Sequence, residues 1–100
     1  MAGGLGLTVA CAGAVEKTEA LKVVIDGLKY APAALEVRVG DTVVWKNDDA
    51  FAHTVTARAG QFDSGEIPAG GSWSYRATST GVVGYYCKLH PTMQATLEVR

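Results

Sequence analysis

The stretch GVVGYYCKLHPTMQATLEV, residues 81–99, holds two runs of period two with an irregular segment between them. Val83, Tyr85 and Cys87 share one face of the first run. Ala95, Leu97 and Val99 share one face of the second, and Met93 has their parity. Successive side chains of a strand point to opposite faces, so each run reads as a strand with an inward apolar row. Between them, Cys87, His90 and Met93 stand at three-residue steps. That spacing also suits one face of a helix. However, Cys87 ends a β-branched and aromatic run, and Pro91 disfavours helical geometry at His90. The segment is expected as a loop between two strands, with both sulfurs inward at one end and His90 at the apex.

The same period extends back along the chain. Leu21, Val23 and Ile25 alternate with Lys22, Val24 and Asp26 until Gly27 breaks the run. Leu35, Val37 and Val39 alternate with Glu36 and Arg38, and Gly40-Asp41 marks a tight turn before Val43 and Trp45. His53, Val55 and Ala57 form a fourth segment, and Trp73 and Tyr75 sit between Ser72, Ser74 and Arg76. No stretch sustains a helical period. Short strands punctuated by Gly and Pro indicate an all-β, two-sheet Greek-key β-sandwich of about seven to eight strands. The Trp and Tyr residues at inward parity are expected in the core. Residues 61–71, QFDSGEIPAGG, are the longest irregular stretch and read as a connector crossing between sheets.

Composition agrees. One hundred residues allow one domain with a single core, and 48% apolar against 19% charged excludes disorder as the main state. The formal net charge is −1 and no basic stripe is visible, which argues against nucleic acid as a partner. Two cysteines, Cys11 and Cys87, do not make a disulfide framework. A bridge between them would require the N-terminal segment to reach the far end of the sandwich.

Residues 1–20 read apart from the 21–100 domain. Between Ala2 and Val15, Thr8 is the only strongly polar residue, and the first charge is Glu16. This pattern suits the apolar part of a secretory signal, with Ala12-Gly13-Ala14 as a cleavage site, although the positively charged start is missing. Leu7 to Cys11 loosely resembles a lipobox, in which Cys11 would carry a lipid anchor. The expected location is periplasmic or otherwise extracytoplasmic, membrane-anchored if Cys11 is lipidated. No apolar run reaches the ~18–20 residues of a membrane-spanning helix.

The chemistry-bearing residues are few. The chain has two histidines, and His53 begins a strand after the polar Asn47-Asp48-Asp49. Together with Cys87, His90 and Met93 it makes a set of two imidazoles, one thiol and one thioether. Soft sulfur with borderline nitrogen suits copper, and two His, one Cys and a weak axial Met make the blue-copper arrangement. Zinc accepts Cys and His but has little use for a thioether. Taken singly, each residue has an ordinary alternative: Cys and Met as core filler, His as a satisfied structural group. A cysteine-nucleophile enzyme using Cys87 with His90 or His53 would leave Met93 without a role.

These residues resemble the cupredoxin (blue copper) family, and Cys87-x-x-His90-x-x-Met93 resembles the short ligand loop of its amicyanin members. Plastocyanins and pseudoazurins have the same Cys-to-His step and a longer gap to Met. The resemblance covers about Leu21 to Arg100. It includes Gly40-Asp41-Thr42-Val43-Val44-Trp45, the Asp63-Ser64-Gly65 turn, and Tyr85 two residues before Cys87. It implies His53, Cys87, His90 and Met93 as ligands of one mononuclear type 1 copper. It also implies an apolar patch of Leu89, Pro91 and Phe51 around a partly exposed His90, where redox partner proteins dock. The chain departs from the family at Thr54, where an Asn usually ties the ligand loops together. It departs again at Lys88, where Ser or Thr is common, and at Leu89, where amicyanin has Pro. Lys88 is expected as a solvated loop lysine, and Asp48 and Asp49 as a polar turn or a steering patch for a cationic partner.

The function expected is that of a small monomeric electron carrier cycling Cu(I) and Cu(II), not an enzyme. A copper storage or delivery protein of the same fold is the alternative. Oxidases and nitrite reductases built from this fold need further histidine-rich copper centres, and both histidines here are already used.

Overall fold

The computed structural model describes residues 21–100 as two four-stranded sheets packed face to face. Eight strands follow in order: β1 (Leu21–Asp26), β2 (Lys29–Ala31), β3 (Ala34–Val37), β4 (Thr42–Asn47), β5 (Thr56–Ala57), β6 (Ser72–Arg76), β7 (Gly81–Tyr86) and β8 (Gln94–Val99). One sheet has the order β2-β1-β4-β6, the other β3-β8-β7-β5. Two pairings are parallel, β1 with β4 and β3 with β8, and the rest are antiparallel. The all-β sandwich read from the alternation is therefore the fold. The expected segments at residues 1–20, including Cys11, lie outside the described residues.

The core forms where the two inward rows meet. Val23, Ile25, Val43 and Trp45 from one sheet face Val37, Tyr85, Leu97 and Val99 from the other, all of them buried. Burying each such side chain contributes about 1.5–3 kcal/mol. Trp45 is central: its ring meets Tyr85 edge-on at 5.6 Å, and its Nε1–H donates to the Tyr85 hydroxyl at 3.2 Å. Trp73 and Tyr75 share the inward parity but remain half-buried, because β6 is an edge strand.

Two differences from the sequence reading have local causes. β2 was not foreseen. It spans Lys29–Ala31, too short for a period to be read, and only Tyr30 is buried. It pairs with β1 through a turn at Gly27 and Leu28, with φ of 62° and 60°. Positive φ at both central residues is the primed turn that matches strand twist, and Leu28 is the sole non-glycine with positive φ among the described residues. The fourth expected strand shortens to Thr56–Ala57, with His53 held in an isolated bridge to Ile67. Here alternation fails because His53, Thr54, Val55 and Thr56 are all buried.

The partner of that segment is the 61–71 connector, which does cross from β5 in one sheet to β6 in the other. Backbone bonds join His53 N–H to the Ile67 carbonyl, Ile67 N–H to that of His53, and Ser64 N–H to that of Val55. Phe62 plugs the seam between the sheets, 4.5 Å from Tyr75 and 6.1 Å from Trp45 between ring centres. The connector thus fixes the strand on which His53 sits.

Candidate metal centre

Cys87 lies one residue beyond β7 and Met93 one residue before β8, both buried. Three backbone bonds stitch the intervening loop: Cys87 N–H to the Met93 carbonyl, His90 N–H to that of Cys87, and Met93 N–H to that of His90. Tight turns of this kind replace the helix that Pro91 forbids. His90, at the apex, is half-buried, while His53 and Cys87 are fully buried.

The Cys87 Sγ faces Nδ1 of His53 at 3.6 Å and Nδ1 of His90 at 3.8 Å. All three donor atoms lie within 4.8 Å of one another, and the two imidazole rings are 4.8 Å apart between centres. Metal–donor bonds of about 2.0–2.3 Å at trigonal to tetrahedral angles separate two donors by about 3.5–3.8 Å. The two imidazole–sulfur distances are those of a pocket that one ion spans. Met93 lies buried on the same loop and adds a thioether, so the donor set fits one mononuclear copper ion.

The surroundings fix the donors. Nε2 of His53 lies 2.8 Å from Oδ2 of Asp49, whose two oxygens also accept the Gly27 and Leu28 amides at 2.7 and 2.9 Å. Burial pushes the Asp49 carboxyl up, but these amides and His53 outweigh it and hold it below its ordinary value. An ionised carboxylate only accepts, so Nε2 is the protonated nitrogen and Nδ1 offers its lone pair beside the Cys87 sulfur. A carboxylate behind a ligating imidazole orients the ring and raises its basicity.

Asn47, fully buried at the end of β4, organises the approach to this residue. Its Nδ2 donates to the Phe51 carbonyl at 2.8 Å and the Ile67 carbonyl at 3.0 Å, and its Oδ1 accepts the Asp49 amide at 2.9 Å. Sequence reasoning treated Asn47-Asp48-Asp49 as a polar turn and missed both roles. The one available signal is the four-residue step from Asp49 to His53, which has no meaning without the bend between them.

The sulfur receives a hydrogen bond from the Thr54 amide at 3.3 Å. The Thr54 hydroxyl accepts the Lys88 amide at 2.9 Å, so a threonine ties the two loops at the place where the family carries an Asn. The Thr54 carbonyl accepts the Tyr30 hydroxyl at 2.5 Å. Lys88 is half-exposed, but its ammonium pairs with Asp63 at 2.5 Å, so it is not simply solvated. At the surface, Phe51 and Leu89 are 60% and 46% exposed, and the Phe51 and His90 ring centres are 6.3 Å apart. The expected apolar patch around His90 is present.

A two-sheet sandwich with two imidazoles and a cysteine sulfur converging at one end defines a cupredoxin. Residues 17–100 match the family model of copper binding proteins of the plastocyanin/azurin family, and the chain belongs to that family. It is 31% identical to the chloroplastic plastocyanin of Pisum sativum over 111 residues, covering 87% of this chain and 63% of that protein. It is 36% identical to the amicyanin of Paracoccus denitrificans over 87 residues, covering 80% of this chain and 65% of that protein. The chain thus spans a little under two thirds of the length of these relatives. Among solved structures, it is similar to a purple cupredoxin from Nitrosopumilus maritimus. That likeness has a TM-score of 0.74 at 28% identity, over 80% of this chain and 99% of that one.

Proposed function

We propose that this protein is a one-electron carrier in which His53, Cys87, His90 and Met93 hold a single type 1 copper. The observation that carries the reading is the approach of both Nδ1 atoms to the buried Cys87 sulfur, at 3.6 and 3.8 Å. Copper bound there supplies a Cu(I)/Cu(II) couple. The chain's own contribution is rigidity. Asp49 fixes the His53 ring, the Thr54 amide holds the sulfur, and the stitched loop fixes His90 relative to Cys87. Donors that barely move between oxidation states keep the nuclear rearrangement of electron transfer small. Burial of His53 and Cys87 keeps bulk water from the donors, while half-buried His90 reaches the surface.

Phe51 and Leu89 beside His90 are the docking face of this reading, apolar and without charge, as suits a transient redox encounter. The two histidines are both committed, which supports a carrier over a multicopper enzyme. The apolar stretch from Ala2 to Val15 supports an extracytoplasmic protein, which cell fractionation tests.

The deciding experiment is optical titration of metal-free protein with Cu(II), repeated with Cys87→Ser. An intense blue band saturating at one equivalent and absent from the variant is expected. No band, or one that survives the substitution, would sink the reading. A band accompanied by slow electron self-exchange and ready loss of Cu(I) to a chelator would turn it towards storage or delivery.

A further inference from the structure

We propose that Asp63 is a positioning residue for the metal loop, acting through Thr56 and Thr54 on the backbone of Lys88. This rests on the copper reading above. The relevant groups form a closed circuit. The Lys88 amide reaches Thr54 Oγ1 at 2.9 Å, Thr54 Oγ1 reaches Thr56 Oγ1 at 2.8 Å, and Thr56 Oγ1 reaches Asp63 Oδ1 at 3.3 Å. Asp63 Oδ2 then returns to Lys88 through its ammonium at 2.5 Å.

The proton directions follow from valence. An amide N–H only donates, so Thr54 Oγ1 accepts from Lys88. Asp63 is held ionised by the Lys88 ammonium and the Gly65 amide, so it only accepts, and the single Thr56 hydroxyl proton goes to it. Thr56 Oγ1 is then left as acceptor, and the Thr54 hydroxyl must donate to it. Every hydroxyl in the circuit both gives and receives once, which is the arrangement in which hydrogen bonds polarise one another. Thr54 and Thr56 are 3% and 7% exposed, so water does not readily replace these links.

The consequence lies at the sulfur. Thr54 donates its amide to Cys87 Sγ while its hydroxyl holds the amide of the next residue, Lys88. Fixing the Thr54 rotamer therefore fixes both sides of the cysteine. A family Asn would perform this tie with its own amide group. A threonine has one hydroxyl and a free rotor, and needs an acceptor to lock it. Thr56 supplies that acceptor, and Asp63 orients Thr56. The exposed Lys88–Asp63 pair would contribute little as an isolated surface ion pair. Its role here is to anchor the outer end of the circuit and to hold Lys88 at its side chain as well as its backbone.

Amide hydrogen exchange in the metal-free full chain tests the circuit directly. Thr56→Val and Asp63→Ala are expected to speed exchange of the Lys88 amide about tenfold or more, with the Trp45 and Leu97 amides accelerated far less. Thr54→Ser, which keeps the hydroxyl, is expected to retain the protection. In copper-loaded protein, Thr56→Val and Asp63→Ala should shift the reduction potential in the same direction, a readout that a merely structural surface pair would not move. Unchanged Lys88 exchange in both variants, equal acceleration at Trp45, or an unaltered potential would each overturn the proposal. A chain that forms no blue band yet shows the expected exchange pattern would remove the copper reading and not the circuit, so the two failures are told apart.

Discussion

The Asp49 carboxylate and the His53 imidazole meet at 2.8 Å through Nε2, while Nδ1 of the same ring faces the Cys87 sulfur at 3.6 Å. One side of the ring is thus spoken for by an anion and the other is left for a metal. Asp49 is itself held by both amides of the Gly27–Leu28 turn. The β1–β2 hairpin is therefore part of the support of the metal site, although it contributes no donor to it.

Asp49→Ala is expected to release the ring. In metal-free protein, nitrogen NMR of His53 should change from a single tautomer, protonated at Nε2, to a mixture. Copper affinity should fall by about 10–100-fold, the usual cost of removing a group that orients a metal-ligating histidine. Retention of one tautomer in the variant would show that packing, and not Asp49, sets the ring.

Asn47→Ala should destabilise the fold by about 1–3 kcal/mol, since the substitution takes a partner from the part-buried Phe51 carbonyl and Asp49 amide and leaves the Ile67 carbonyl with the His53 amide alone. Denaturant unfolding of the metal-free chain measures this as a lowered midpoint with an unchanged slope. A loss below about 1 kcal/mol would mean that water reaches these groups.

Phe62→Ala should cost about 3–5 kcal/mol, in the range of a buried aromatic truncated to Ala. Phe62 is 7% exposed and touches four aromatic rings across the seam: Trp45, Trp73, Tyr75 and Tyr85. Thermal unfolding reports the loss. Tryptophan emission should also move to longer wavelength as water reaches Trp73.

Stability should fall in acid through Asp63. The Lys88 ammonium beside it, with the Gly65 amide, holds its carboxyl below the ordinary value of 3.8. Between the lowered native value and 3.8 the unfolded chain binds more protons, so stability rises with pH there. The contribution is complete above 3.8 and is lost as pH falls through the native value. The carboxylate is 43% exposed, so solvent screening keeps the effect modest. Asp63→Asn should lower stability at neutral pH and flatten its acid dependence, with the two curves converging at the acid end. Parallel curves across the whole range would contradict this.

Much of the fold was legible because period two survives wherever one face is buried and the other is wet. β1, β4, β7 and β8 show it directly, and the parity of Cys87 and Met93 with their strands puts both in the buried row. β2 was hidden because three residues carry no period. Residues 53–57 misled because both of their faces are buried, His53 and Val55 on one and Thr54 and Thr56 on the other, where the threonine hydroxyls bond to the Lys88 amide and the Asp63 carboxylate.

The sequence by itself determined the sandwich, the loop between β7 and β8, and the small inventory of soft donors, because alternation and the Pro91 restriction act within a few residues of chain. Tertiary structure alone decided how those donors are held. His53 reaches Cys87 across 34 residues, Asp49 acquires its role by a bend that also captures the β1–β2 turn, and the Thr54 hydroxyl meets Thr56, which in turn meets Asp63. Hydrogen bonds between segments distant in sequence depend on ångström-scale placement, and no local pattern of residue types encodes that placement.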